Sequence, residues 1–190
     1  MTVRKINLLN KIYDRNRENG SFLIKVSIHR YTDIFNDLDP SPLRKRDLDQ
    51  DFISYLEDCS SDIPLRYGIE LHILCPAEIR DTVKEERVRA GIKTYCNLMM
   101  LTFKNKLAES YKVSTVYMIV FITLMSIAFT IGPKMPVSII TETFLEGVSI
   151  GGWVFLWEAI ALIFIKNKKT RTLYKRHSRL ENAPVYYFDS

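Results

Sequence analysis

The chain has 190 residues, 47% hydrophobic and 26% charged, with a formal net charge of +5. That length fits one domain, or a small domain with an appendage. Residues 1–112 hold 19 Lys/Arg and 17 Asp/Glu, residues 113–165 one Lys and three Glu, and residues 166–190 seven Lys/Arg and two Asp/Glu. The excess positive charge is therefore C-terminal, which excludes a protein that is basic throughout. Cys59, Cys75 and Cys96 are odd in number and widely spaced, with no CxxC and no histidine at zinc-ligand spacing. That argues against a disulfide framework or a zinc site and for reduced, packed thiols.

The opening MTVRKINLLNKIYDRNRENG lacks the apolar run of a signal peptide and reads as a short basic amphipathic helix, with Ile6, Leu9 and Tyr13 on one side. In SFLIKVSIHR (21–30), Phe22, Ile24, Val26 and Ile28 alternate with Leu23, Lys25, Ser27 and His29, the pattern of a half-buried strand. Asp39-Pro40-Ser41-Pro42 must be extended or turned. Asp47 with Gln50 resembles a capping box, followed by Asp49 and Asp51 near a positive helix N-terminus. Leu48, Phe52, Tyr55, Leu56 and Cys59 then form the stripe of a helix ending near residue 60. PLRYGIELHILC (64–75) alternates as a second strand, with Leu65, Tyr67, Ile69, Leu71 and Ile73 on one face.

After Pro76 a long helical pattern starts, with Ile92, Tyr95, Cys96, Met99, Phe103 and Leu107 on one face, and runs into an apolar segment. VSTVYMIVFITLMSIAFTIG (113–132) carries no charge, and GVSIGGWVFLWEAIALIFI (147–165) carries only Glu158. At about 1.5 Å per residue these helices measure roughly 30 and 28 Å, enough to cross a hydrocarbon core. The expected fold is α+β: a small cytoplasmic mixed α/β domain (1–112) plus a two-helix transmembrane hairpin. The hairpin comprises residues 113–132, a short external loop at 133–146 and residues 147–165. A basic cytoplasmic tail (166–190) ends in a strand, Val185–Phe188, expected to return to the sheet edge.

Lys93, Lys104, Lys106 and Lys112 precede the first span and Lys166, Lys168, Lys169, Arg171, Lys175, Arg176 and Arg179 follow the second, while the loop holds only Lys134. The positive-inside rule then puts both termini in the cytoplasm and the protein in the plasma membrane. LDPSPLRKRDLD, GGWVFLWEAI, a basic LYKR segment and the closing APVYYF together resemble a group of uncharacterised prokaryotic membrane proteins with Asp-Pro-Ser-Pro…Arg-Asp-Leu-Asp and Gly-Gly-Trp-Val motifs. The likeness covers most of the chain beyond residue 30 and implies a shared architecture without an activity.

Three features invite a functional reading. The acidic residues Asp33, Asp37, Asp39, Asp47, Asp49 and Asp51 lack a calcium-loop arrangement, so neither a metal nor any cofactor is expected. His29, His72 and His177 have no nucleophile-elbow or phosphate-loop context, and no catalytic residue is assigned. The basic tail suits lipid head groups through Lys166, Lys168, Lys169, Arg171, Lys175 and Arg176, pairing with the acidic region and nucleic-acid binding being the weaker readings.

Glu158 shares a face with Gly147, Gly151 and Val154 within roughly 60° of arc. Gly147-x-x-x-Gly151 permits close helix approach. Counted from residue 165, Glu158 lies about 10 Å deep and is expected at a helix interface near Tyr117 or Thr123. The leading expectation is a membrane protein with a cytoplasmic sensing or partner-binding domain, homo-oligomeric along the Gly147/Gly151/Glu158 face. Alternatives are an oligomeric channel or membrane-perturbing effector with Glu158 in the pore and, more weakly, a membrane-tethered enzyme.

Overall fold

The structure is a computed structural model and describes residues 3–36, 38–39 and 47–189. Asp37 and residues 40–46, with most of the Asp-Pro-Ser-Pro motif and part of the acidic cluster, lie outside the described residues. The chain divides into two compact units, Met1–Leu101 with Tyr174–Ser190, and Thr102–Leu173.

The first unit, the module, follows α1 (Val3–Ile12) with β1 (Phe22–Ser27), α2 (Gln50–Asp62), β2 (Ile69–Cys75) and the start of α3 (Thr82–Ile131). It is completed by the end of α5 (Asn167–Glu181) and by β3 (Val185–Asp189). Alternation places Phe22 and Ile24 of β1 and Ile69, Leu71 and Ile73 of β2 on one buried face, as expected for strands. Leu65 and Tyr67 precede β2 rather than belonging to it. The N-cap of α2 is Asp49, whose carboxylate accepts from the Asp51 and Phe52 amides, two residues later than the Asp47 reading. The Asp47 carbonyl instead accepts from the Asn36 amide and its own amide donates to the Asp39 carboxylate, beside a bridge between Phe35 and Leu48.

The strand order is β1-β2-β3 and both pairings are parallel. Parallel neighbours need a crossover, and both crossovers bring their helices to one face. One core accordingly joins Phe52, Ile53 and Leu56 of α2, Val88, Ile92 and Cys96 of α3 and Leu180 of α5 to Phe22, Ile24, Ile73 and Val185. Each fully buried apolar side chain of this kind contributes about 1.5–3 kcal/mol.

The tail does add a strand, with Leu71 opposite Val185 and Cys75 opposite Asp189. The Leu71 amide donates to the Pro184 carbonyl at 2.9 Å, so the Val185 and Tyr187 carbonyls face outward. Arg89 donates to the first at 2.9 Å and Arg80 to the second at 3.5 Å. These arginines cover an edge that would otherwise offer itself for pairing.

The second unit holds the rest of α3, then α4 (Ile139–Ile160), a π-helical segment (Ala161–Lys166) and the start of α5. α3 and the α4–α5 helix are both long and apolar enough to cross a membrane. Pro133 sits in a 3-10 turn, Gly132–Lys134, that ends α3, since proline cannot donate to the carbonyl four residues back. The second helix opens at Ile139, inside the 133–146 stretch expected to be a loop. Ser138 is extended, its carbonyl accepts from the Glu142 amide at 2.9 Å, and Glu142 complements the helix dipole.

Deleting residues 183–190 removes β3, bares the β2 edge and discards buried Val185. The expected result is a fall of more than about 5 °C in the module's melting temperature, followed by thermal scanning of the full chain in detergent.

Candidate functional site

Because both crossovers use one face of the sheet, the opposite face is left to the short segment between α1 and β1. That face carries Leu23, Lys25 and Ser27 of β1, Glu70, His72 and Leu74 of β2, and Tyr186 and Phe188 of β3. Purely parallel sheets are normally covered on both sides, so a half-open face is unusual. Its aromatic centre is His72, in ring contact with Tyr186 at 5.6 Å and Phe188 at 4.7 Å. Tyr186 and Phe188 remain 47% and 44% exposed.

Beside them Glu70 is buried, at 2% exposure. Asn16 and Asn19 donate to its Oε1 at 2.9 and 2.7 Å, and His72 Nε2 stands 3.4 Å from Oε2. Burial pushes this carboxyl upward, but the Asn19, Asn16 and His72 contacts outweigh it and hold it below the usual carboxylate range. No periodicity marks a buried carboxylate in a strand, so sequence reasoning missed Glu70. The nearby Asn16 and Asn19 were the only trace.

A second polar cluster ties the end of α5 to α2. The Arg179 guanidinium donates to the carbonyls of Ser60, Ile63, Pro64 and Tyr67 and to the Ser60 hydroxyl. It thereby answers the unpaired carbonyls at the C-terminus of α2, where a cation also suits the helix dipole. Burial, with Arg176 nearby, pulls the Arg179 pKa down to about 10. Buried His177 meets Glu57 at 3.0 Å, and Tyr95 donates to the same carboxylate oxygen at 2.9 Å. The adjoining cavity, about 10 Å³ between Leu48, Leu56, Tyr95 and Cys96, has room for one water rather than a substrate. Burial, with Glu181 and Glu57, pushes the Cys96 thiol up to about 12, and burial also raises Cys75, so neither is an activated nucleophile.

In the second unit the hairpin closes along Gly152 and Ala159, both buried. A Cβ on Gly152 would stand 3.0 Å from the Met125 methyl, and the Ser114 hydroxyl donates to the Ala159 carbonyl at 3.1 Å. Tyr117 packs on Phe155 and Phe121 on Trp153, with ring centroids 5.7 and 5.9 Å apart. Gly147 and Gly151 have nothing within 4 Å of an added Cβ, so the expected small-residue face is not the one that closes the hairpin.

Glu158 forms an ion pair with Lys166 of its own helix, and neither Tyr117 nor Thr123 bonds to it. Thr123 donates back to the Ile119 carbonyl at 2.9 Å. In a straight α-helix residues 158 and 166 would stand about 80° apart. The π segment, in which the Asn167 amide reaches the Leu162 carbonyl, turns less per residue and winds Lys166 back over Glu158. The antiparallel register also sets Glu158 beside the Ser114 turn, within about 6 Å of Lys112 along the axis.

Of the expected head-group residues, Lys166 is thus engaged with Glu158, Arg171 with the Tyr111 hydroxyl and Arg176 with the Ser61 carbonyl. Lys168, Lys169 and Lys175 are exposed. Asp33, Asp39 and Asp49 accept backbone amides, and no group of three metal-ligating side chains occurs among the described residues. No known protein family, curated protein or solved structure matches the chain.

Two substitutions separate the two glycine faces. Gly152→Leu should break the hairpin packing and lower thermal stability in detergent. Gly151→Leu should leave that stability unchanged and act only on contacts between copies, read as a fall in oligomer mass. Glu70 gives a pH test. Its depressed pKa contributes stability above the ordinary value near 4.5, and this is lost as pH falls through the lowered pKa. Melting temperature should therefore drop more steeply below pH 4.5 in the wild type than in Glu70→Gln.

Proposed function

We propose that the chain is an integral membrane protein, anchored in the plasma membrane by the α3/α4 hairpin with both termini in the cytoplasm. The module is then a cytoplasmic sensing or partner-binding domain. The observation that carries this reading is the exposure of both apolar helices: their most apolar windows share a mean hydropathy of 2.0 yet are 0% and 11% buried. A core helix of a water-soluble protein with that composition would be covered. Lipid is the solvent that such surfaces fit.

Orientation draws support from two independent features. Basic residues crowd the base of the hairpin, while its tip holds Lys134 beside Glu142 and Glu146. In addition, β2 precedes the hairpin and β3 follows it, yet they pair in one sheet. A chain that crosses a bilayer between them has to return to the side it left.

The module's half-open face of His72, Leu74, Tyr186 and Phe188 is the surface that fits a binding role better than catalysis. Homo-oligomerisation fits the open Gly147/Gly151/Val154 face, Val154 being 61% exposed. A pore lined by Glu158 draws less support, because the carboxylate is answered by Lys166 within its own chain.

The three native cysteines are buried, which leaves introduced cysteines free to report topology. Val137→Cys, at a position 90% exposed, should react with an impermeant maleimide outside intact cells. Lys168→Cys should react only after permeabilisation, and the protein should stay in the membrane pellet at alkaline pH. Release by carbonate would defeat the membrane reading. Labelling of both sites from outside would defeat the topology.

A further inference from the structure

Below the apolar spans, the two helices of the second unit carry Lys104, Lys106 and Lys112 on α3 and Lys166, Lys168, Lys169 and Arg171 on the returning helix. Glu109 is the one acid in those stretches. Lys166 and Arg171 are spoken for by Glu158 and Tyr111. No carboxylate pairs with Lys104, Lys106, Lys112, Lys168 or Lys169 among the described residues, and all five are exposed.

Their placement is a collar rather than a pocket. At about 100° per residue, Lys106 and Lys112 stand roughly 160° and 80° from Lys104, and Lys168 and Lys169 roughly 100° from each other. Along the axis Lys104 to Lys112 covers about 12 Å. The Arg171–Tyr111 bond keeps the returning helix alongside that stretch. Helical side chains lean toward their own N-termini, so the lysines of the two antiparallel helices lean in opposite directions along the axis.

We propose that this collar binds the anionic head groups of phospholipids and selects them over zwitterionic ones; the inference rests on the membrane reading above. Cations spread around the helix pair over about 12 Å of its length cannot converge on a single small anion or follow one nucleic-acid strand. A head-group layer surrounds the helix pair and reaches every azimuth at once. A layer roughly 5–8 Å deep, extended by a screening length of about 8 Å, spans the collar's height. The missing negative charge is thus supplied by phosphate and carboxylate groups of the bilayer surface.

The test uses the full chain reconstituted in phosphatidylcholine vesicles, probed with spin-labelled phosphatidylglycerol and spin-labelled phosphatidylcholine. The motion-restricted fraction should favour phosphatidylglycerol by roughly threefold or more, and the preference should shrink in high salt. Replacing Lys104, Lys106, Lys112, Lys168 and Lys169 with Gln should bring the ratio to about one, while Lys134→Gln leaves it unchanged. Equal restriction of both lipids by the wild type overturns the proposal, as does a preference that survives the five substitutions. Pyrophosphate that displaces the lipid beyond its ionic-strength effect, or a single-stranded oligonucleotide that does so, would point to a soluble anion and overturn it too. If neither lipid is restricted, the membrane reading itself has failed, a distinguishable result.

Discussion

The pairing of β2 with β3 is the constraint on which the rest of the chain depends. The strands are separated by more than a hundred residues, all of α3, α4 and the π segment among them. Closing so long a loop costs entropy, although the cost grows only slowly with length and is smaller for a loop built of helices. Contacts near the return point offset it. Leu180 and Val185 enter the core, Arg179 fastens α5 to the C-terminus of α2, and Arg80 and Arg89 hold the outer carbonyls of β3. Arg179 is a half-buried cation whose neutral replacement would leave several carbonyls unanswered.

The same constraint bears on the apolar segment. A hairpin inserted between two paired strands has to bring its chain back toward where it left, and its helices pack against each other along the way. Gly152 and Ala159 provide the close approach, and the Ser114 hydroxyl satisfies a carbonyl at the contact. Glu158, the one charge in the second apolar run, is neutralised by a lysine brought round by the π turns. In the proposed membrane setting the pair stands near the head-group boundary, where a lysine reaches inward at modest cost.

Much of the module was legible because its signals are local. Phe22/Ile24 and Leu71/Ile73 alternate as half-buried strands do, Val185–Phe188 has strand composition, and an aspartate caps α2, at position 49 rather than 47. Direction of pairing was not legible, since alternation is the same in parallel and antiparallel strands. Glu70 was hidden because a buried carboxylate depends on Asn16 and Asn19 arriving from another part of the chain. In the hairpin, a uniformly apolar helix gives no periodicity from which to choose its contact face. Gly147-x-x-x-Gly151 marks a face for contacts between copies, whereas the close approach inside the hairpin falls on Gly152 and Ala159. The π segment, invisible in composition, is what joined Lys166 to Glu158 and replaced the expected Tyr117 and Thr123 partners.

The central claim, that the exposed apolar helices face lipid, is tested most directly through the protein's two tryptophans. Trp153 and Trp157 both lie on α4 and are 53% and 67% exposed. In vesicles of lipids brominated along their acyl chains, the account predicts blue-shifted emission and strong quenching of both, with little quenching by aqueous iodide. Emission at the wavelength of water-exposed indole, with iodide quenching and no effect of bromine, would contradict it.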